Sequence, residues 1–96
     1  MFARFVAYKF KPGMSDAVFK KAEAGLGPIL RKLPGFLAYE VFRTGSDSGV
    51  SVSNWKTEAQ ARDAVKAAAD WVKANIAGDV ASSETHVGEV VFSHRA

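Results

Sequence analysis

The 96-residue chain contains no cysteine. Disulfides, thiolate metal sites and thiol nucleophiles are therefore excluded. Histidine is scarce, with two residues, and proline stops at three. No stretch approaches the roughly 20 apolar residues that a membrane helix needs. Met1 to Phe10 is apolar but broken by Arg4 and Lys9, and it lacks a small-residue cleavage site, so it does not read as a signal peptide. A cytoplasmic location is the expectation. There is no phosphate loop and no dinucleotide fingerprint. The cluster from Gly45 to Gly49 holds two serines, but it reads as a hairpin turn and not as a nucleophile elbow.

What is present is ordinary for a globular domain, with 48% hydrophobic and 24% charged residues. The length fits one domain, residues 1–96. The formal charge of +3 is dispersed, and Lys20-Lys21 and Arg31-Lys32 are the longest basic runs. A nucleic-acid partner is not expected, because its signature is a basic stripe.

Phe2 to Phe10 is rich in aromatic and β-branched residues and is stopped by Pro12-Gly13, which marks a strand. Ser15 or Asp16 can then cap a helix. Its apolar stripe is Val18, Phe19, Ala22, Leu26, Ile29, Leu30 and Leu33. Gly25, Gly27 and Pro28 predict a bend or tightened turn in mid-helix, and Pro34-Gly35 ends it. Phe36 to Arg43 reads as a second strand, Thr44 to Gly49 as a turn, and Val50 to Trp55 as a third strand. Thr57 and Gln60 fit a capping box. Ala61, Ala64, Val65, Ala68, Trp71, Val72 and Ile76 then form the inner face of a second helix, with Gly78 as its stop. Glu84 to Ser93 closes the chain as a fourth strand. The order is βαββαβ, an α+β fold of the ferredoxin-like kind.

In such a domain both helices cover one sheet face, and the other face should be polar. Alternation along the strands predicts otherwise. Phe2, Val6, Tyr8 and Phe10 oppose Ala3, Phe5 and Ala7. In the second strand Leu37, Tyr39 and Val41 oppose Phe36, Ala38 and Phe42, and in the fourth Val87 and Val91 oppose Val90 and Phe92. An apolar face of many hundreds of Å² exceeds what soluble monomers expose. At about 25 cal/mol per Å², covering it contributes on the order of 10 kcal/mol before association costs. A second copy packed sheet to sheet about a two-fold axis is the simplest cover, so a homodimer is expected.

With the order and faces assigned, the chain resembles the antibiotic biosynthesis monooxygenase-like domains of the dimeric α+β barrel superfamily. The likeness rests on K-P-G (Lys11 to Gly13), P-G-F (Pro34 to Phe36) and V-S-V-S-N-W-K-T (Val50 to Thr57). It continues through W-V-K-A-N (Trp71 to Asn75) and G-E-V-V (Gly88 to Val91). The resemblance implies a dimeric barrel and a small-molecule pocket. Members of that family include cofactor-free monooxygenases of aromatic polyketides or quinols, haem-degrading enzymes and isomerase-like proteins. Haem-degrading members use an Asn on the first strand with a Trp and a His on the second helix. This chain has Val6 and Tyr8 on that strand, and its second helix has Trp71 but no histidine, so haem breakdown is not expected. The same strand order occurs in RNA-recognition domains, yet V-S-V-S-N-W lacks their stacking aromatics.

The candidate catalytic residues are His86, Trp55 and Tyr8. Trp55 shares a strand face with Ser53 and Ser51. The resemblance gives a tryptophan at this strand end the role of lining the pocket; otherwise Trp55 is plain core whose N–H seeks a partner. Tyr8 and the candidate binding residue Tyr39 offer hydroxyls that could hold a substrate oxyanion. Packing with the hydroxyl at a rim is the commoner role of such tyrosines. His86 is a general base if it faces the cavity and is otherwise a solvated strand-end residue. His94 is read as a surface residue. The two lie eight residues apart on one strand, about 26 Å at 3.3 Å per residue, so they cannot share a metal ion. Arg4 and Glu89 sit among apolar strand neighbours and either serve the site or form an inter-strand ion pair or edge contact. Ser51, Ser53 and Trp71 complete the binding candidates, with core packing the default for Trp71. No metal and no cofactor are expected.

The expectation is a small homodimer, either a cofactor-independent monooxygenase of a small phenol- or quinol-type compound or a non-catalytic ligand-binding or stress-related protein on the same scaffold. An enclosed cavity with two or more convergent polar groups separates the first reading from the second.

Overall fold

A computed structural model describes residues 1–96. The alternating run Phe2–Phe10 forms β1, and the positive φ of Gly13 lets the chain turn into α1 (Ser15–Lys32). β2 (Phe36–Gly45) and β3 (Ser48–Trp55) follow, then α2 (Glu58–Asn75), a short 3₁₀ turn (Ala77–Asp79) and β4 (Val80–Glu89). The strands form one antiparallel sheet in the order β2-β3-β1-β4, the ferredoxin-like arrangement expected from the sequence. α1 packs on β2 and on α2, while α2 packs on β1, β3 and β4.

The main core joins Leu26 and Leu30 of α1, Trp55 of β3, and Ala61, Ala64 and Ala68 of α2. The three alanines let α2 lie close on the sheet, and the capping box expected at its start is formed in both directions by Thr57 and Gln60. A second cluster of Phe10, Val18 and Ile76 closes the other end.

Several boundaries differ from the sequence reading, each for a local reason. Neither Ser15 nor Asp16 caps α1, whose N-cap is Met14 with no side-chain bond. The Ser15 hydroxyl instead donates to the Ser46 carbonyl at 2.8 Å and accepts from Arg43 Nη1 at 2.9 Å, and Asp16 pairs with Arg43. Both residues thus tie α1 to the β2–β3 hairpin. α1 remains helical through Gly25, Gly27 and Pro28. Gly25 is needed for proximity, because a Cβ there would stand 2.7 Å from the Trp71 indole nitrogen of α2. The hairpin is tighter than expected, with only Ser46 and Asp47 between the strands. β4 starts at Val80, not Glu84, because its ladder with β1 runs on to Phe10↔Val80, and it ends at Glu89. Val90 to Ser93 lie beyond the sheet.

The largest difference lies in β2. A register shift at Leu37 places Phe36 opposite Trp55 and Ala38 opposite Asn54. Phe36 therefore joins Tyr39 and Val41 on the helix side, and its ring meets Trp55 edge-on at 5.6 Å.

Gly35 makes a prediction where α1 gives way to β2. Its φ is +80°, and an added Cβ would fall 1.8 Å from Gln60 Oε1. Gly35→Ala is expected to cost about 2–4 kcal/mol, combining left-handed strain with a broken cap. Urea denaturation measures this, and a loss below about 0.5 kcal/mol would mean that the turn relaxes freely.

Candidate functional site

β3 reverses the usual pattern. Its valines, Val50 and Val52, share the outer sheet face with Phe5 and Ala7, whereas Ser51 and Ser53 point at the helices. Small inward side chains leave space, and Arg4 of β1 occupies it. One row across the inner face reads Tyr39, Ser53, Arg4, Val87, and the next reads Val41, Ser51, Val6, Thr85. Facing residues in such rows stand about 5 Å apart at Cβ.

Arg4 is fully buried, at 0% exposure. Its Nη1 donates to Ser51 Oγ at 3.3 Å and to Ser53 Oγ at 3.2 Å, and Ser53 Oγ also accepts from Trp55 Nε1 at 2.9 Å. Arg4 Nε and Nη2 have no hydrogen-bond partner, and no carboxylate forms an ion pair with this guanidinium. Tyr8 and Tyr39 lie close enough to feel its charge, and the Tyr8 hydroxyl stands near enough to interact with the guanidinium directly, although it does not reach full hydrogen-bond geometry at Nε or Nη2. An uncompensated buried cation costs several kcal/mol, so its retention points to function more than to stability.

Burial pushes the Tyr8 and Tyr39 hydroxyls above their ordinary pKa, against a smaller pull from Arg4 and, for Tyr39, a larger one from Ser51. Burial also lowers the Arg4 pKa, although a guanidinium stays charged throughout the working range. At neutral pH both tyrosines are therefore proton-bearing donors and not bases. Because their folded pKa values are raised, their contribution to stability is intact below about pH 10 and is lost as pH climbs through the folded values. Denaturation midpoints should fall above about pH 10 in the wild type and fall less in a Tyr8→Phe, Tyr39→Phe chain. An equal fall in both would remove the tyrosines as the cause.

Tyr8, Tyr39, Ser51 and Trp71 line a void of about 30 Å³ between sheet and helices, room for a single water molecule. On the α1–β2 side it adjoins an open cleft of about 640 Å³, with which it shares Phe19, Ala22, Tyr39 and Val41. Arg31 and Arg43 stand at this cleft, and the Arg43 guanidinium lies 4.9 Å from the Phe19 ring centre. On the other side a groove of about 330 Å³ runs between α2 and β4, with Arg4, Tyr8, Lys73, Ser83 and Thr85 among its walls.

The structure thus brings together Arg4, Tyr8, Tyr39, Ser51, Ser53 and Trp71. Trp55 is fully buried in the core and lines neither void nor cleft; it reaches the cluster only through Ser53. His86 lies elsewhere. It pairs with Phe5 on the outer sheet face, exposed, with Nε2 2.9 Å from Glu84 Oε1, so it cannot be the base of this interior. Glu89 is exposed at the end of β4 opposite Phe2, two positions from the Arg4 pair, and forms no ion pair with Arg4. The groove residues Ser83 and Thr85 escaped the sequence reading, although they share the strand phase of Val87. No group of three or more His, Cys, Asp or Glu side chains is placed to hold a metal ion, and no helix is long and apolar enough to cross a membrane.

Among solved structures, a Nitrosomonas europaea protein of unknown function, NE2512, is similar at 21% identity and a TM-score of 0.83, over 99% of this chain and 93% of that one. The ActVA-Orf6 monooxygenase of Streptomyces coelicolor, solved with nanaomycin D, matches at 16% identity and a TM-score of 0.79, covering 99% and 91%. A mutant of MhuD with two manganese protoporphyrin IX molecules in each active site matches at 16% and 0.78, over 100% of both chains. At these identities the likeness is one of fold. No curated protein matches the sequence. The profile of antibiotic biosynthesis monooxygenases matches residues 1–73, and the chain belongs to that family.

Proposed function

We propose that residues 1–96 form one cytoplasmic, homodimeric domain that oxidises a small phenol- or quinol-type compound with O₂ and no cofactor. The observation that carries this reading is the convergence of Tyr8, Tyr39 and Arg4 on one otherwise apolar interior beside an open cleft. Two neutral hydroxyls and a fixed positive charge favour an oxyanion over its protonated form. The void is lined by no histidine and no carboxylate, but Glu23 stands on the wall of the cleft, so the substrate proton passes to Glu23 or to water there before the anion reaches the tyrosines. Addition of O₂ to the ring carbon of the anion and loss of water convert a CH₂ to a C=O. The substrate supplies both hydrogens and four electrons, and O₂ is reduced to the level of water.

Haem chemistry does not fit this interior. Porphyrin iron needs an axial donor; the walls of void, cleft and groove contain no His, Cys or Met, and the remaining candidates, Tyr8 and Tyr39, are held in the protonated form by burial and are poor ligands.

Oxygen uptake with a panel of quinols and anthrones tests the proposal. Tyr39→Phe is expected to lower kcat/KM by about 10²-fold, the scale set by loss of one oxyanion donor. Turnover unchanged in Tyr39→Phe would take that hydroxyl out of the mechanism. The void of about 30 Å³ favours a second reading, a non-catalytic ligand-binding or stress-related dimer, which saturable binding without oxygen consumption would support.

The dimer rests on the outer sheet face. Ala3, Phe5, Ala7, Val50, Val52, Ala38 and Phe42 share it, and Phe42 is 50% exposed. Beyond β4, Val91 and Phe92 are more exposed still. The polar residues Ser82, Glu84 and His86 bound the apolar area on the β4 side, and Glu40, opposite Val52, and Asn54, opposite Ala3 and Ala38, interrupt it on β2 and β3.

A further inference from the structure

The two unpartnered nitrogens of Arg4 are adjacent on one edge of the guanidinium. Nη1 is turned to Ser51 and Ser53, which leaves Nε and Nη2 as a free pair. Their N–H bonds run parallel, and that spacing matches the two oxygens of a carboxylate. A single phenolate oxygen could use only half of this fork. The residue is fully buried and has no acidic partner, so the counter-charge has to come from outside the chain.

We infer that the ligand carries a carboxylate, held side-on by Nε and Nη2 of Arg4, and that it is a small aromatic acid. The inference narrows the ligand of the interior described above and rests on that interior binding a small aromatic. The ring lies against Tyr8, Ala68 and Val72 in the groove of about 330 Å³, because the void beside it holds no more than a water molecule. The acid reaches Arg4 from the α2–β4 groove, where Lys73, Ser83 and Thr85 offer a cation and two hydroxyls. Tyr8 and Val72 are common to groove and void, so the Tyr8 side chain borders both spaces. The carboxylate occupies the arginine fork, which leaves the Tyr8 hydroxyl for the oxygen on the reacting ring.

Calorimetric titration of the full chain with 4-hydroxybenzoate, 4-hydroxybenzamide and phenol tests this without requiring turnover. At neutral pH the acid should bind at least about tenfold more tightly than the amide, the margin expected of a charge-assisted bidentate contact. Arg4→Met should abolish that preference, and Arg4→Lys should retain only part of it, as a point charge would. The wild-type ratio is decisive even if a variant fails to fold. Equal binding of acid and amide, or binding of phenol alone, overturns the carboxylate and leaves the aromatic site standing. Absence of binding by all three overturns both.

Discussion

A Phe5→Asp chain is expected to stay folded and to lose its partner. Phe5 is 38% exposed on the outer sheet face, between Val52 of β3 and His86 of β4, and no helix covers it. The substitution therefore removes little from the core of one chain. In a sheet-to-sheet dimer the same position is sealed from water, and the two-fold axis brings in a carboxylate from each copy. A charge buried without a counter-ion costs on the order of 4 kcal/mol, which corresponds to about a thousandfold in the dimer Kd. Light scattering at micromolar concentration should show the variant at half the wild-type mass with an unchanged far-ultraviolet spectrum. Equal masses for the two proteins would contradict the proposed interface, and a monomeric wild type would end the barrel altogether.

Trp55→Ala acts on the opposite face and should fail in another way. Trp55 has 0% exposure and joins α1, α2 and β3 through Leu26, Leu30, Ala61 and Ala64. Truncating a tryptophan so placed costs about 3–5 kcal/mol for the transfer and the cavity. The edge-on pair with Phe36 adds about 1 kcal/mol. A domain of this size holds about 5–15 kcal/mol in total, so the variant should be close to unfolding at room temperature. Trp55→Phe retains most of the volume and removes the N–H that Ser53 accepts, at a cost of about 1 kcal/mol. Its informative readout is ligand affinity. If Trp55 acts by holding Ser53 against Arg4, the phenylalanine variant should show weaker ligand binding with stability nearly kept. Denaturation and titration of the same preparations separate the two effects, and an intact affinity would leave Trp55 as core alone.

The element order, the capping box and the inward phase of β1 were legible because each rests on local signals: turn residues, a T-x-x-Q spacing and strict alternation. The site was half legible. Arg4 sits in the same phase as Phe2, Val6 and Phe10, and V-S-V-S puts serines in the phase of Trp55, so the pattern already implied a cation facing small hydroxyls. What it did not carry was the absence of an acid partner, since Glu89 is equally placed in sequence and only the β1–β4 register separates the two. His86 was misjudged for the same reason. Whether a strand residue faces in or out depends on a ladder partner some 80 residues away, and no local pattern reports it.

The irregularity at Leu37 gives β2 two phases of alternation, one on each side of a single extra residue. Deleting that residue would leave the composition of the strand almost unchanged. Phe36, Ala38 and Tyr39 would then pair in unbroken order with Trp55, Asn54 and Ser53, so Tyr39 would keep its inward place and Glu40 its outward one. The bulge is thus a tolerated insertion: it lets Phe36 and Tyr39, three residues apart, face the same side, and the interior keeps its charge whether or not the extra residue is there.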